Sequence, residues 1–326
     1  MAIIAKKISF VGAKDRAKLQ KVQFFTDGVL SMYKNKTFYA AIISVIVAIA
    51  SIQHLHAETL VTDTGYQLEY AVRGQDSTGP VSLIIMHGKN VSPETVLSRL
   101  TLFADRIAQQ GIRVYVPVMP WSSRWDGTHQ DATSAIDALV NLAAKDGKKV
   151  VVGGHSMGAM FTIIYRPSSL PPSVVGKFIS GLGHALDMIP TASSFWQDIS
   201  PSLERSRSLA AEGKSKTKVQ FGGRNTVGSS HTVERYEMTP EVYLSWHDPK
   251  RLPSIQNALK ESKVPALFTV GSLDPLINNS GSRQTFDLIP RHPQSAFFVL
   301  EGKDHNSSFP SAAEKLIPWL KSFERP

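Results

Sequence analysis

Residues 149–158 read Lys-Val-Val-Val-Gly-Gly-His-Ser-Met-Gly. A short β-branched run passes without a break into a G-x-S-x-G sequence, Gly154-His155-Ser156-Met157-Gly158, and then into residues 159–165, apolar but for Thr162. The order predicts a buried strand, a tight turn and a helix from Met157 to about Tyr165. Gly154 and Gly158 allow backbone and neighbouring elements to approach closely there. The turn also sets Ser156 at a helix N-terminus, which favours negative charge developing nearby. A serine hydroxyl is a poor nucleophile near pH 7, so this serine needs a base from elsewhere in the chain.

Working outward, strands and helices alternate on both sides of this stretch. Thr59–Asp63 and Tyr66–Arg73 flank Thr64-Gly65 and predict an initial antiparallel hairpin. Val81–Met86 is a continuous apolar run, as a strand buried on both faces requires. A helix is expected from about Ser92 to Gln110, capped by Ser92, with Val96, Leu100, Phe103 and Ile107 on one face. Ile112–Val118 is the next strand. Asp131–Lys145 is a helix with the stripe Ile136, Leu139, Val140 and Ala143. Beyond the motif, Val175–Leu182, Pro265–Val270 and Ala296–Leu300 read as strands, and Ala313–Phe323 as a closing helix. This beat predicts an α/β fold: a mostly parallel, doubly wound sheet with helices on both faces.

Ten histidines are present. His305 follows the strand Ala296–Leu300 by five residues, in Glu-Gly-Lys-Asp-His, a loop at a strand's carboxyl end, where open α/β sheets bind ligands. Asp274 occupies the equivalent loop after Pro265–Val270, where a carboxylate could hold the imidazole tautomer and stabilise imidazolium. Three residues, each just beyond a separate predicted strand, stand in the chain order Ser156, Asp274, His305.

On these motifs, Val150–Gly158, Val270–Pro275, Gly302–His305 and Leu83–Asn90, residues 60–326 resemble the α/β-hydrolase superfamily, in its capped, esterase/lipase-like branch. The resemblance implies Ser156 as nucleophile, His305 as general base and Asp274 as the acid behind it. It also implies an oxyanion hole made by the backbone N–H of Met157 and one just after His87-Gly88, from Lys89 or Asn90. The His-Gly-Gly-Gly run of some lipases is lacking, so the residues leave that choice open.

Residues 184–263 break the alternation and predict a cap inserted over the carboxyl edge of the sheet. Trp121, Trp125, Trp196, Tyr243 and Trp246 either line an apolar pocket or pack this cap on the core. Asp248, Asp287 and Asp304 compete with Asp274, but Asp248 lies in the cap, Asp287 in a predicted helix, and Asp304 beside His305 should point into solvent. His87 and His155 are expected to pack or hydrogen-bond, while His184 and His247 have no assignable partner. No spacing reads as a metal site or a phosphate-binding loop, so no cofactor or metal is expected.

The chain carries a formal charge of +9 and no cysteine, which excludes disulfides, zinc-thiolate and iron–sulfur sites. Residues 1–57 hold eight Lys/Arg against Asp15 and Asp27, so most of the excess charge lies there and a nucleic-acid partner is not indicated. Phe38–Ile52 is an uncharged apolar stretch preceded by Lys34 and Lys36 and followed by Ala57. It predicts a secretory signal peptide cleaved after Ala57, with Met32 as a plausible true start. A permanent membrane anchor is the alternative, although the stretch is shorter than the about 20 residues a spanning helix needs. A bacterial exported protein, periplasmic or extracellular, is expected, meeting the membrane only transiently.

The expectation is thus a hydrolase of carboxylic esters acting on a small-molecule acyl substrate. A peptidase or amidase on the same residues is one alternative. A binding or sensing protein on a hydrolase scaffold is the other.

Overall fold

The computed structural model describes residues 57–145 and 147–324, so the predicted signal segment lies outside the described residues. Strand β1 (Glu58–Val61) pairs with β2 (Gln67–Arg73) as the expected hairpin, with Gly65 at positive φ in its turn. Then come β3 (Val81–Met86), α1 (Thr101–Ala108), β4 (Arg113–Pro117), α2 (His129–Ala144), β5 (Lys149–His155), α3 (Met157–Ile164) and β6 (Val174–Ser180). After an insertion the core resumes with β9 (Ala266–Gly271), α7 (Arg283–Phe286), β10 (Ala296–Leu300), α8 (His305–Ser311) and α9 (Ala313–Lys321). The insertion carries α4 (Ser194–Ala211), the hairpin β7 (Val219–Val227) and β8 (Ser230–Met238), α5 (Pro240–His247) and α6 (Ile255–Lys260).

The main sheet has the order β1-β2-β4-β3-β5-β6-β9-β10. β1, β2 and β4 pair antiparallel, and every pairing from β4 through β10 is parallel. Strand periodicity divides the core into two layers. Val81, Leu83, Ile85 and Val151 join Phe103 and Ile107 of α1 and Leu316 and Leu320 of α9 on one face. Ile84, Met86, Val150 and Val152 join Ile136, Leu139 and Val140 of α2 and Met160 and Phe161 of α3 on the other. The central strands therefore read as unbroken apolar runs because both of their faces are covered.

The chain leaves β3 for a helix on one face and leaves β5 for a helix on the other. The crevice between their carboxyl ends is the switch point at which doubly wound sheets bind ligands.

Two expectations need correction. The helix expected over Ser92–Gln110 is not continuous. Ser92 caps a first turn at Pro93–Thr95, and a π-helical turn at Val96–Leu100 precedes α1. The Thr101 hydroxyl donates to the carbonyls of Leu97 (2.9 Å) and Ser98 (2.8 Å), drawing on carbonyls the regular ladder would use. The glycine-bearing segment Phe221–Ser230, which carried no predicted strand, lies in the β7–β8 hairpin. Val227 pairs with Ser230 across the two-residue turn Gly228-Ser229.

Candidate active site

β5 delivers Ser156 into the turn before α3 at φ 56° and ψ −114°, a conformation that costs a non-glycine residue free energy. The flanking glycines are sterically required. A Cβ on Gly154 would overlap the backbone of Gly158, and one on Gly158 would lie 2.7 Å from the His87 carbonyl oxygen. Gly183 faces the serine so closely that a Cβ there would sit 2.9 Å from Ser156 Oγ.

The loops after β9 and β10 bring Asp274 and His305 to this serine. Both are 1% exposed. Asp274 Oδ2 accepts from His305 Nδ1 at 2.8 Å, and its Oδ1 accepts from the Leu276 amide at 2.9 Å. With Nδ1 protonated toward the carboxylate, Nε2 is the acceptor, and Ser156 Oγ donates to it at 2.9 Å. The imidazole is held from its backbone as well. The His305 N–H donates to the Gly228 carbonyl at the tip of the β7–β8 hairpin (3.1 Å), and the His305 carbonyl accepts from His155 Nε2 (2.8 Å). Burial and the neighbouring His305 push the His155 imidazolium down to about 3, so His155 serves here as a neutral donor.

The competing carboxylates are committed elsewhere. Asp304 caps α8, its Oδ1 accepting from the Ser307 amide (2.7 Å) and hydroxyl (2.6 Å), rather than standing free in solvent. Asp248 receives Arg207 through Nε and Nη2 at 3.2 and 3.0 Å. Asp287 lies just past the short helix α7, paired with Arg283 at 2.9 Å.

The loop after β3 is stitched to the loop after β4. His87 Nε2 accepts from the Met119 amide (2.9 Å), Trp121 Nε1 donates to the His87 carbonyl (3.0 Å), and the Asn90 N–H donates to the Trp121 carbonyl (2.9 Å). Burial pushes the His87 imidazolium down to about 4, in keeping with its role as an acceptor. The Asn90 amide is thus spent. Lys89 lines the cavity beside Ser156 and Met157, and Asn90 does not. Met157 opens α3, so its N–H has no carbonyl partner within the helix.

That cavity measures about 230 Å³. Its walls include Gly183, His184 and Phe195 from the insertion, Arg224, Asn225 and Thr226 of β7, and His231 of β8. No Asp or Glu is among the described residues lining it. Trp121, Trp125, Tyr243 and Trp246 do not line it; each is buried, joining the insertion to the core. Trp121 and Trp246 meet edge to face at 5.3 Å. Trp196 also lies outside the lining. His184 Nε2 donates to the Trp246 carbonyl at 2.6 Å, and His247 stacks on Tyr243 at 4.3 Å. Among the described residues, no three His, Asp or Glu side chains converge as a metal site.

The hairpin contribution escaped the sequence reading, although Gly228-Ser229 between two runs is a two-residue turn signal. The tie from His155 to the His305 carbonyl has no local sequence signal, because it joins residues 150 positions apart.

The family model described as serine aminopeptidase, S33, matches residues 119–309, more than half of the chain. The chain belongs to that family. This S33-family chain is an α/β-hydrolase-type enzyme, and solved structures share its fold. The monoacylglycerol lipase of Paleococcus ferrophilus aligns at a TM-score of 0.57 and 18% identity, over 79% of this chain and 99% of that one. A soluble variant of the Saccharomyces cerevisiae monoglyceride lipase aligns at 0.57 and 12%, over 82% and 95%. A thermostable carboxyl esterase from Bacillus coagulans aligns at 0.55 and 12%, over 82% and 98%. No curated protein matches the S33-family chain by sequence.

Proposed function

We propose that this enzyme hydrolyses carboxylic esters through an acyl-enzyme intermediate on Ser156. The continuous relay from Asp274 through His305 to Ser156, at 2.8 and 2.9 Å, carries the reading. Ser156 Oγ attacks the ester carbonyl as its proton passes to His305 Nε2. Asp274, accepting from Nδ1–H, stabilises the imidazolium. The oxyanion is held by the N–H groups of Met157 and Lys89, each such donor worth about 3–4 kcal/mol of transition-state stabilisation. The imidazolium then protonates the leaving alcohol, and a water activated by His305 releases the acyl group.

The family description names an aminopeptidase, and the same relay could cleave amides. The cavity favours esters. An aminopeptidase has to hold a free α-ammonium, which calls for a carboxylate, whereas among the described residues Lys89 and Arg224 line this site and no Asp or Glu does. The cavity is also smaller than the roughly 300–1,000 Å³ of pockets for drug-sized ligands, which favours a compact substrate. The basic flank and apolar stretch before Ala57 support export of the enzyme. A phosphatase-reporter fusion to residues 1–57 that stays inactive in a bacterial host would remove that part of the proposal.

A fluorophosphonate probe on the full chain tests the chemistry. Labelling of the wild type, with none in Ser156→Ala and strongly slowed labelling in His305→Ala, is expected. A folded wild type that resists the probe overturns the reading in favour of a binding protein on a hydrolase scaffold.

A further inference from the structure

We propose that the cavity beside Ser156 binds a carboxylate carried by the substrate, with the Lys89 ammonium and the Arg224 guanidinium as its anchors. The proposal rests on the ester-hydrolase reading above and names the substrate class for it.

Lys89 is only 9% exposed, and a buried ammonium is costly unless it is paired and hydrogen-bonded. Its Nζ donates to the Arg224 carbonyl and lies 5.6 Å from the centre of the Tyr236 ring. An ammonium has three N–H donors, so one carbonyl and one ring face leave it under-satisfied. Among the described residues no carboxylate stands within ion-pair distance of it. Glu234, whose charge it feels, is engaged by Asn90 Nδ2 (3.0 Å) and Asn225 Nδ2 (3.3 Å). Burial pushes the lysine down to about 8, which leaves it mostly protonated at neutral pH.

Arg224 reaches the same cavity from β7. Its Nη1 is fixed by Ser194 Oγ at 2.7 Å and Asp198 Oδ2 at 3.3 Å, so the guanidinium stands in a set position. Asn225, Thr226 and Asn279 add neutral polar groups to the walls. Two cationic residues, one of them buried and in no ion pair among the described residues, line the space where a substrate must lie. A carboxylate matches this set, because it accepts from both and suits the planar fork of an arginine. A purely structural lysine, tying the loop after β3 to the hairpin, would predict no discrimination by charge.

Two pairs of esters, each differing by one charge, decide the matter. The acetyl esters of 4-hydroxybenzoate and 4-hydroxybenzamide place the charge on the alcohol side. Methyl hydrogen adipate and methyl adipamate place it on the acyl side. In at least one pair the wild-type enzyme should favour the anion about tenfold or more in kcat/KM, chiefly through KM. Lys89→Gln and Arg224→Gln should each cut that ratio several-fold, and Lys89→Arg should restore most of it. Equal use of both members in both pairs overturns the proposal, as does a ratio unchanged in both Gln variants. Fluorophosphonate labelling of the wild type separates the failures. A labelled enzyme without charge preference loses this inference alone, whereas an unlabelled one loses the ester-hydrolase reading as well.

Discussion

The carboxyl edge of the sheet and the insertion between β6 and β9 meet at one cavity, yet they contribute to it differently. The sheet edge holds Ser156, Asp274 and His305 by buried hydrogen bonds and by glycines whose Cβ positions are already occupied. The insertion reaches the cavity with the side chains of a two-stranded hairpin, several of them partly exposed, while its own stability comes from Tyr243, Trp246 and Phe221 packed on the core. On the proposed function the sheet edge carries the reaction chemistry and shares substrate choice with the hairpin, through Lys89 on one side and Arg224 on the other, and the two parts join where the Gly228 carbonyl receives the His305 amide. Changes at Asp274, His305 and the elbow glycines should act on turnover and folding, and changes at Lys89 and in the hairpin on substrate preference.

The largest effect should follow Asp274→Asn. The amide cannot hold the Nδ1–H tautomer, and kcat on a short ester should fall about 10⁴-fold with the fold intact by circular dichroism. A variant retaining a tenth of the rate would mean the sheet edge does not carry the chemistry. Gly158→Ala comes next. Its methyl group would press on the His87 carbonyl, and denaturant titration should show a loss of about 1–3 kcal/mol together with impaired turnover.

A third test reaches beneath the edge. Lys177 is 2% exposed and donates to the carbonyls of Ile163 (3.1 Å) and Tyr165 (3.3 Å) at the end of α3. Burial pushes it down to about 7 from an ordinary value near 10.5. Between those values the unfolded chain binds the extra proton, so this residue's contribution makes stability rise with pH, by up to about 1.4 kcal/mol per unit. Lys177→Met should flatten that rise, as read from denaturation midpoints at pH 6, 7.5 and 9. An unchanged slope would move the origin of the rise elsewhere.

Gly228→Ala should have the smallest effect. Its φ of 59° makes an alanine cost about 1 kcal/mol, and the loosened turn should change kcat by no more than about tenfold. A collapse of turnover would blur the division between edge and hairpin.

The edge was legible in the sequence for a physical reason. Strands covered on both faces read as apolar runs, and ligands bind just beyond the carboxyl ends of such strands, so Ser156, Asp274 and His305 could each be tied to a strand. The hairpin was not, because β8 leaves most of its side chains in solvent and carries His231, Glu234, Arg235 and Glu237 in place of an apolar alternation. Of the aromatic residues of the insertion, read as either pocket walls or packing, Tyr243 and Trp246 are packing. The cavity is walled instead by residues such as Arg224 and Thr226, whose types reveal nothing until the chain is folded. The choice between Lys89 and Asn90 could be narrowed only once the Trp121 carbonyl was seen to take the Asn90 amide.

That stitch between the loops after β3 and β4 has a consequence for the energy of reaction. Met119 and Trp121 hold the ring and carbonyl of His87, and the Trp121 carbonyl holds the Asn90 amide, so the turn that carries Lys89 is fixed on both sides. A dipole already aimed needs no rotation when charge builds on the carbonyl oxygen, whereas bulk water would have to turn its molecules at that moment. With Lys89 as the proposed oxyanion donor, loosening Trp121 should slow the enzyme through reorganisation energy, even with every reacting atom still in place.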